Sequence, residues 1–213
     1  MYKTFAALGV VLTFVFYGLF QLVIINPVPV ANVVIAEKPE NGVLGGQAAV
    51  VISGELSTSQ YQILNTAYSI AKSDGHKHPE LVQSMILQET HAGGLKQYKV
   101  AGNKGDEYYG LAQIKLGATQ DVMKAYPELW KKYQFQTRTD DELKANLILN
   151  QKFNIEIGSK YLKMLQERYG YTGRALLNAY NRGPTGVKAV NSASFHYAIG
   201  AETKLAAWKG RQQ

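Results

Sequence analysis

Met85-Ile86-Leu87-Gln88-Glu89-Thr90 ends an apolar helical pattern on a carboxylate. Val82, Met85 and Ile86 precede Glu89 by seven, four and three positions, so a helix over 79–91 carries all four on one stripe. Glu seldom enters such a stripe without a partner. Pro79 suits the first helical turn and Gly93-Gly94 the stop, which leaves Glu89 near the negative end of the helix dipole. Desolvation and the dipole both disfavour the charged form, and both are expected to raise the pKa. A carboxyl that keeps its proton near neutral pH is what a general acid requires. A solvated Glu on a frayed last turn has the same local spacing, so residues further along must decide between the two.

Helical signals surround this segment. Ser57 and Gln60 form a capping box, followed by Tyr61, Leu64, Tyr68 and Ala71 at helical spacing. Residues 94–110 are Gly-rich and polar and read as a loop. Ala118–Tyr126 reads as a short helix ended by Pro127. Thr139 and Glu142 form a second capping box, predicting one long helix to about Tyr169 with the stripe Leu143, Leu147, Asn150, Asn154, Ile157/Gly158, Tyr161 and Leu165. Thr172 opens a helix through Tyr180, closed by Asn181-Arg182-Gly183-Pro184. A last helix over 194–208 places Tyr197, Ala201, Leu205 and Trp208 on one face. Strand alternation is nearly absent after residue 57, so the expected class is all-α, without repeats.

The 213 residues allow one ordinary domain and an appendage. There is no Cys, which excludes disulfides and thiol chemistry but does not assign a compartment. His76, His78, His91 and His196 lack metal-ligand spacing, and no cofactor is expected. A net charge of +7 suits a polyanionic partner. The basic residues are dispersed and no nucleic-acid motif accompanies them; a polymer bearing peptide carboxylates would use the same field.

After Lys3, Thr4–Ile25 is a run of 22 uncharged, mostly apolar residues, and the first acid is Glu37. A membrane-spanning helix needs roughly 20 residues, whereas a cleavable signal core usually has about 7–15. Val34-Ile35-Ala36 has small-residue cleavage chemistry but lies well past the run. The length favours an uncleaved transmembrane anchor at 1–25, with the remainder outside the cytoplasmic membrane; cleavage would give a secreted form. Residues 26–55, rich in Pro and Gly, read as an extended linker, and 56–213 as the globular domain.

Asn150 and Asn154 lie in the stripe of the predicted long helix, where a buried amide must find hydrogen-bond partners. Gly158 removes a side chain from the same stripe and admits a close neighbour. Gly110-Leu111-Ala112-Gln113 follows the polar loop, and Ala179-Tyr180-Asn181 ends a helix. In order, Glu89-Thr90, Gly110–Gln113, Asn154-Ile155 with Gly158, and Ala179–Pro184 resemble the lytic transglycosylase domain of the soluble lytic transglycosylase type. The resemblance covers roughly residues 60–190. That family has Glu-Ser, Gly-Leu-Met-Gln, Asn-Ile-x-x-Gly and Ala-Tyr-Asn-x-Gly-Pro at these places. Here Thr90 replaces Ser and keeps a hydroxyl. Ala112 replaces Met, which the resemblance places on the cleft floor.

The resemblance implies a lysozyme-like helical fold that cleaves the β-1,4 bond between N-acetylmuramic acid and N-acetylglucosamine in peptidoglycan. It implies Glu89 as the single acid/base and Tyr180 as the residue that hydrogen-bonds and positions it. It makes Gln113 and Asn181 glycan-contacting or site-shaping, and Asn154 a support under the cleft. Ordinary glycosidases use two carboxylates. With one, the substrate's own C6 hydroxyl can attack the anomeric carbon, since proximity replaces the missing group. Asp106-Glu107 leaves an alternative: a carboxylate opposite Glu89 could activate water, giving a muramidase resembling goose-type lysozymes. A non-catalytic glycan-binding assembly module is a third reading. Tyr98, Tyr108, Tyr109 and Tyr171 are candidate stacking platforms for sugars. Partners expected beyond the glycan strands are the membrane and, with such an anchor, components of an envelope-spanning machine or a phage particle.

Overall fold

The Ser57 hydroxyl accepts a hydrogen bond from the Gln60 N–H while Gln60 Oε1 accepts one from the Ser57 N–H, so the capping box forms and opens α1 (Thr58–Ser73). The structure is a computed structural model that describes residues 56–94, 98–100, 107–188 and 195–211. The apolar run Thr4–Ile25, the linker and Asp106 lie outside the described residues. Among those described, no helix is long and apolar enough to cross a membrane.

From α1 the chain runs through α2 (Glu80–Thr90), the antiparallel pair β1 (Tyr98–Val100) and β2 (Glu107–Tyr109), α3 (Leu116–Ala125), α4 (Glu128–Lys132), α5 (Asp140–Leu149), α6 (Gln151–Tyr169), α7 (Gly173–Lys188) and α8 (His196–Gly210). The expected all-α character holds for most of it. The polar loop departs from expectation by containing the small sheet, paired Tyr98 to Tyr109 and Val100 to Glu107.

The predicted long helix from Thr139 is in fact two. Asn150 adopts extended backbone (φ −108°, ψ 91°), ends α5, and caps α6 by accepting from the Phe153 N–H at 3.0 Å. Asn competes with helix for backbone partners, and here the cap wins. Thr139 does cap α5, but the Glu142 carboxylate reaches the N–H groups of Gln136, Thr137 and Arg138 instead of closing a box. That helix closed near Asn181 resumes beyond Gly183, whose φ of 75° and ψ of 165° suit only glycine; Pro184 starts the second part.

Two apolar clusters flank α6. Ile155, Leu162 and Leu165 join Leu64, Met85, Ile86, Leu177 and Trp208 on the side of α1, α2, α7 and α8. Phe153, Ile157 and Met164 join Val122, Leu129, Leu143 and Leu147 on the other. Tyr161 touches both. The helix between the two clusters therefore carries side chains into each, and the residues that meet across it form the candidate site.

Candidate active site

Glu89 occupies the last turn of α2, half-buried, behind the fully buried Val82, Met85 and Ile86. The helix stops before its glycines. His91 (φ 51°, ψ 46°) and Ala92 (φ 52°) both take left-handed backbone. Such conformations cost about 1 kcal/mol or more in non-glycine residues, so tertiary contacts must hold them. Gln60 donates to the His91 carbonyl at 2.8 Å, and the Thr90 hydroxyl donates to the Leu111 carbonyl at 2.9 Å. The hydroxyl retained at Thr90 thus ties the acid's helix to the Gly110–Gln113 turn.

That turn is bonded on every side. Tyr109 and Ile114 exchange backbone bonds of 3.1 and 3.2 Å, and the Gln113 side chain donates to the Gly110 carbonyl at 2.8 Å. Asn154, fully buried, accepts from the Ala112 N–H at 2.7 Å and donates to the Tyr109 carbonyl at 2.9 Å. Its two amide functions are satisfied by the same turn. Gly110 has φ 70°, and a Cβ there would lie 2.2 Å from Asn154 Nδ2 and 2.3 Å from the Leu147 carbonyl. Only glycine fits. Gly158 plays the anticipated part from α6: a Cβ would meet Ala112 Cβ at 2.8 Å and Met85 Cε at 2.9 Å.

The expectation for Tyr180 needs correcting. Its hydroxyl donates to the Ala112 carbonyl at 2.7 Å, and the hydroxyl that donates to Glu89 Oε1, at 2.6 Å, belongs to Tyr197 on α8. A phenol has one proton, and the turn takes that of Tyr180. Tyr197 was legible only as part of the packing face of the last helix. Its signal was the rule that a buried Tyr hydroxyl finds a partner, which does not say which partner. Ala112 is also not on an open floor: it is wholly buried against Gly158. Asn181, next to Tyr180, is exposed. Thr90, Gln113, Asn154 and Tyr180 therefore converge on residues 109–113, whereas Asn181 does not join them.

Burial first, and then the charge of Glu89, push the Tyr180 and Tyr197 hydroxyls well above the usual phenol range, so both remain protonated donors. Lys204, two turns beyond Tyr197, is pushed down by burial and pulled up by Glu89. Burial, then Lys204 and Arg211, hold His91 below the ordinary imidazole value, which keeps it neutral at pH 7. Among the described residues, the protonated Tyr197 hydroxyl thus donates to Glu89, and the partly buried Lys204 lies within its electrostatic reach.

Glu107, on β2, accepts from the Tyr109 hydroxyl; Asp106 lies outside the described residues. Tyr109 is buried, which removes it from the stacking candidates. Tyr108 has Lys115 Nζ 5.0 Å from its ring centre, and Tyr171 stacks on Tyr169 while donating to the Pro184 carbonyl. Among the described residues no three His, Asp or Glu side chains are grouped to hold a metal ion.

The family described as Transglycosylase SLT domain matches residues 71–201, more than half of the chain. The chain belongs to the transglycosylase SLT domain family. No curated protein sequence matches it significantly. The match spans Glu89, the 109–113 turn, Asn154, Tyr180 and Tyr197, so the whole hydrogen-bonded cluster lies within the SLT domain. The mostly helical fold agrees with the lysozyme-like architecture of that family, and membership indicates transglycosylase-type cleavage of glycan, with peptidoglycan as the substrate class.

Proposed function

We propose that this SLT domain is a peptidoglycan lytic transglycosylase that cleaves the MurNAc-β-1,4-GlcNAc bond and leaves 1,6-anhydromuramoyl ends, with Glu89 as sole acid/base. The observation that carries the reading is the Glu89 carboxyl at the buried end of α2, oriented by the Tyr197 hydroxyl. Glu89 gives its proton to the glycosidic oxygen as the C1–O4 bond breaks. The muramoyl C6 hydroxyl then attacks C1, and its proton passes to the Glu89 carboxylate. No water is consumed, and the acid is restored. Attack within one sugar gains the entropy that a bimolecular reaction would lose.

The supporting residues act through the turn. Asn154, Tyr180, Thr90 and Gln113 fix 109–113 beside the acid, and the exposed Asn181 is free to contact glycan. The engagement of Glu107 by Tyr109 favours the transglycosylase over a two-carboxylate hydrolase. The Thr4–Ile25 run would anchor the enzyme with its catalytic domain in the cell-wall space.

The test is product analysis of sacculi digested by the full-length protein. Mass spectrometry should find anhydro ends, lighter by one water than hydrolytic ends, and Glu89→Gln should lower turnover by about 10²–10⁴-fold with the fold retained. Reducing ends alone would assign a muramidase instead, and wild-type turnover in Glu89→Gln would remove the acid/base assignment.

A further inference from the structure

A second constellation stands one ring away from Tyr180. Tyr161 packs edge-on against Tyr180, centroids 5.6 Å apart, and also lines a shallow surface pocket. Asp121 of α3, Met164, Leu165, Arg168 and Tyr169 of α6, and Pro184 of α7 complete the lining. Met164 and Leu165 are buried and form an apolar floor, whereas Asp121, Arg168 and Tyr169 are exposed at the rim.

The walls are held in place. Tyr171 stacks on Tyr169 with rings 5.8 Å apart and 22° from parallel, and its hydroxyl donates to the Pro184 carbonyl at 2.8 Å. Pro184 itself sits where it does because Gly183 kinks α7. The rim charges are uncommitted: Glu167, beside Arg168, pairs with Lys163, and among the described residues no ion pair engages Arg168 or Asp121. Both charges line the same pocket as the Tyr161 ring.

This pattern discriminates between ligands. A neutral sugar needs no charge of either sign, and a simple anion would be repelled by Asp121. A short peptide ending in a diamino acid fits all parts, with a carboxylate at Arg168, the side-chain ammonium of the diamino acid at Asp121 and its aliphatic portion on Met164 and Leu165. We infer that the pocket between α3, α6 and the Pro184 segment is a subsite for the peptide stem of the muramoyl residue, read by Arg168 and Asp121. The inference rests on the proposed peptidoglycan substrate and adds recognition of its peptide to cleavage of its glycan.

The experiment measures binding without turnover. The N-acetylated tripeptide acetyl-L-alanyl-γ-D-glutamyl-diaminopimelate, whose alanyl nitrogen is an amide as in the muramoyl stem, is titrated into the full-length protein, followed by the Arg168 side-chain N–H resonance and the backbone amides of α3 and α6. The same titration is run on Arg168→Ala, Asp121→Asn and the control Lys152→Ala, which is 16 positions away on α6, roughly 24 Å along the helix. Saturable binding that weakens about fivefold in each pocket variant, and is unchanged in the control, is the expected result for rim charges. The pocket positions are exposed, so the variants keep the fold. Absence of peptide binding, wild-type binding by either pocket variant, or perturbation of these resonances by neutral chitotetraose in place of the peptide would each overturn the inference. Because no cleavage is measured, a failure here is separate from a failure of the Glu89 assignment.

Discussion

Tyr197 Oη donates to Glu89 Oε1 at 2.6 Å across 108 positions of sequence, so the last helix completes the end of the helix that carries the acid. Gly200, one turn beyond Tyr197, leaves room for the Gln88 side chain at this contact: a Cβ there would lie 3.0 Å from Gln88 Oε1. The acid is oriented by an element that contributes none of the four sequence motifs.

Tyr197→Phe keeps the ring and removes the bond. Turnover should fall about tenfold, the loss expected of a positioning hydrogen bond of roughly 1.4 kcal/mol, with KM little changed. Steady-state kinetics on purified glycan strands measures this, and thermal unfolding close to that of the wild type separates positioning from packing.

Asn154→Ala leaves the Ala112 N–H and the Tyr109 carbonyl without their partner in a buried setting. Loss of stability by about 2–4 kcal/mol is expected, from two unmet backbone groups and a small cavity. Denaturant unfolding reads it as a lower midpoint at unchanged slope.

Ala112→Met restores the residue that the resembled family carries but overfills this interior. Ala112 is wholly buried, and the space across from it at Gly158 is shared with the Met85 methyl. The substitution should cost about 1–3 kcal/mol. Met85→Ala in the same chain should recover part of that cost, a coupling that a double-mutant cycle measures directly.

Stability should fall with acid in two windows. The His76 and His91 imidazoles are held below their usual value, chiefly by burial, and His76 Nε2 bonds to the Ser159 backbone carbonyl at 3.0 Å. The unfolded chain binds these protons first, so the contribution is whole above pH 6.5 and lost as pH falls toward the lowered folded values. Glu142, held down to about 2 by the Gln136–Arg138 amides and the Thr137 hydroxyl, contributes above its ordinary carboxyl range and loses that contribution as pH falls through about 2. His76→Gln should flatten the first window and Glu142→Gln the second in unfolding midpoints measured against pH.

The run Thr4–Ile25 predicts an intact N-terminus in the membrane fraction. Fractionation with N-terminal mass mapping checks it; a mature chain beginning at Glu37 would replace the anchor with a signal peptide.

Much of the frame was legible because local chemistry wrote it. The α1 capping box, the Val82-Met85-Ile86 stripe and the space left at Gly158 follow from spacing alone, and each has the structure those spacings require. The break at Asn150 was not legible, because a continuous stripe of Leu147, Asn150 and Asn154 matches helix and cap equally until the 109–113 turn claims Asn154. The helix stop came two residues before the glycines for a similar reason. Gln60 and Leu111 hold His91 and Thr90 from outside the segment.

By itself the sequence determined the helical class, the motif order and which carboxyl is the candidate acid, since periodicity and residue type are local properties. Only the tertiary structure decided which hydroxyl holds the acid and which holds the turn. Tyr180 and Tyr197 offer the same phenol, and each gives its single proton to whichever acceptor packing brings within reach: the Ala112 carbonyl for one, the Glu89 carboxylate for the other.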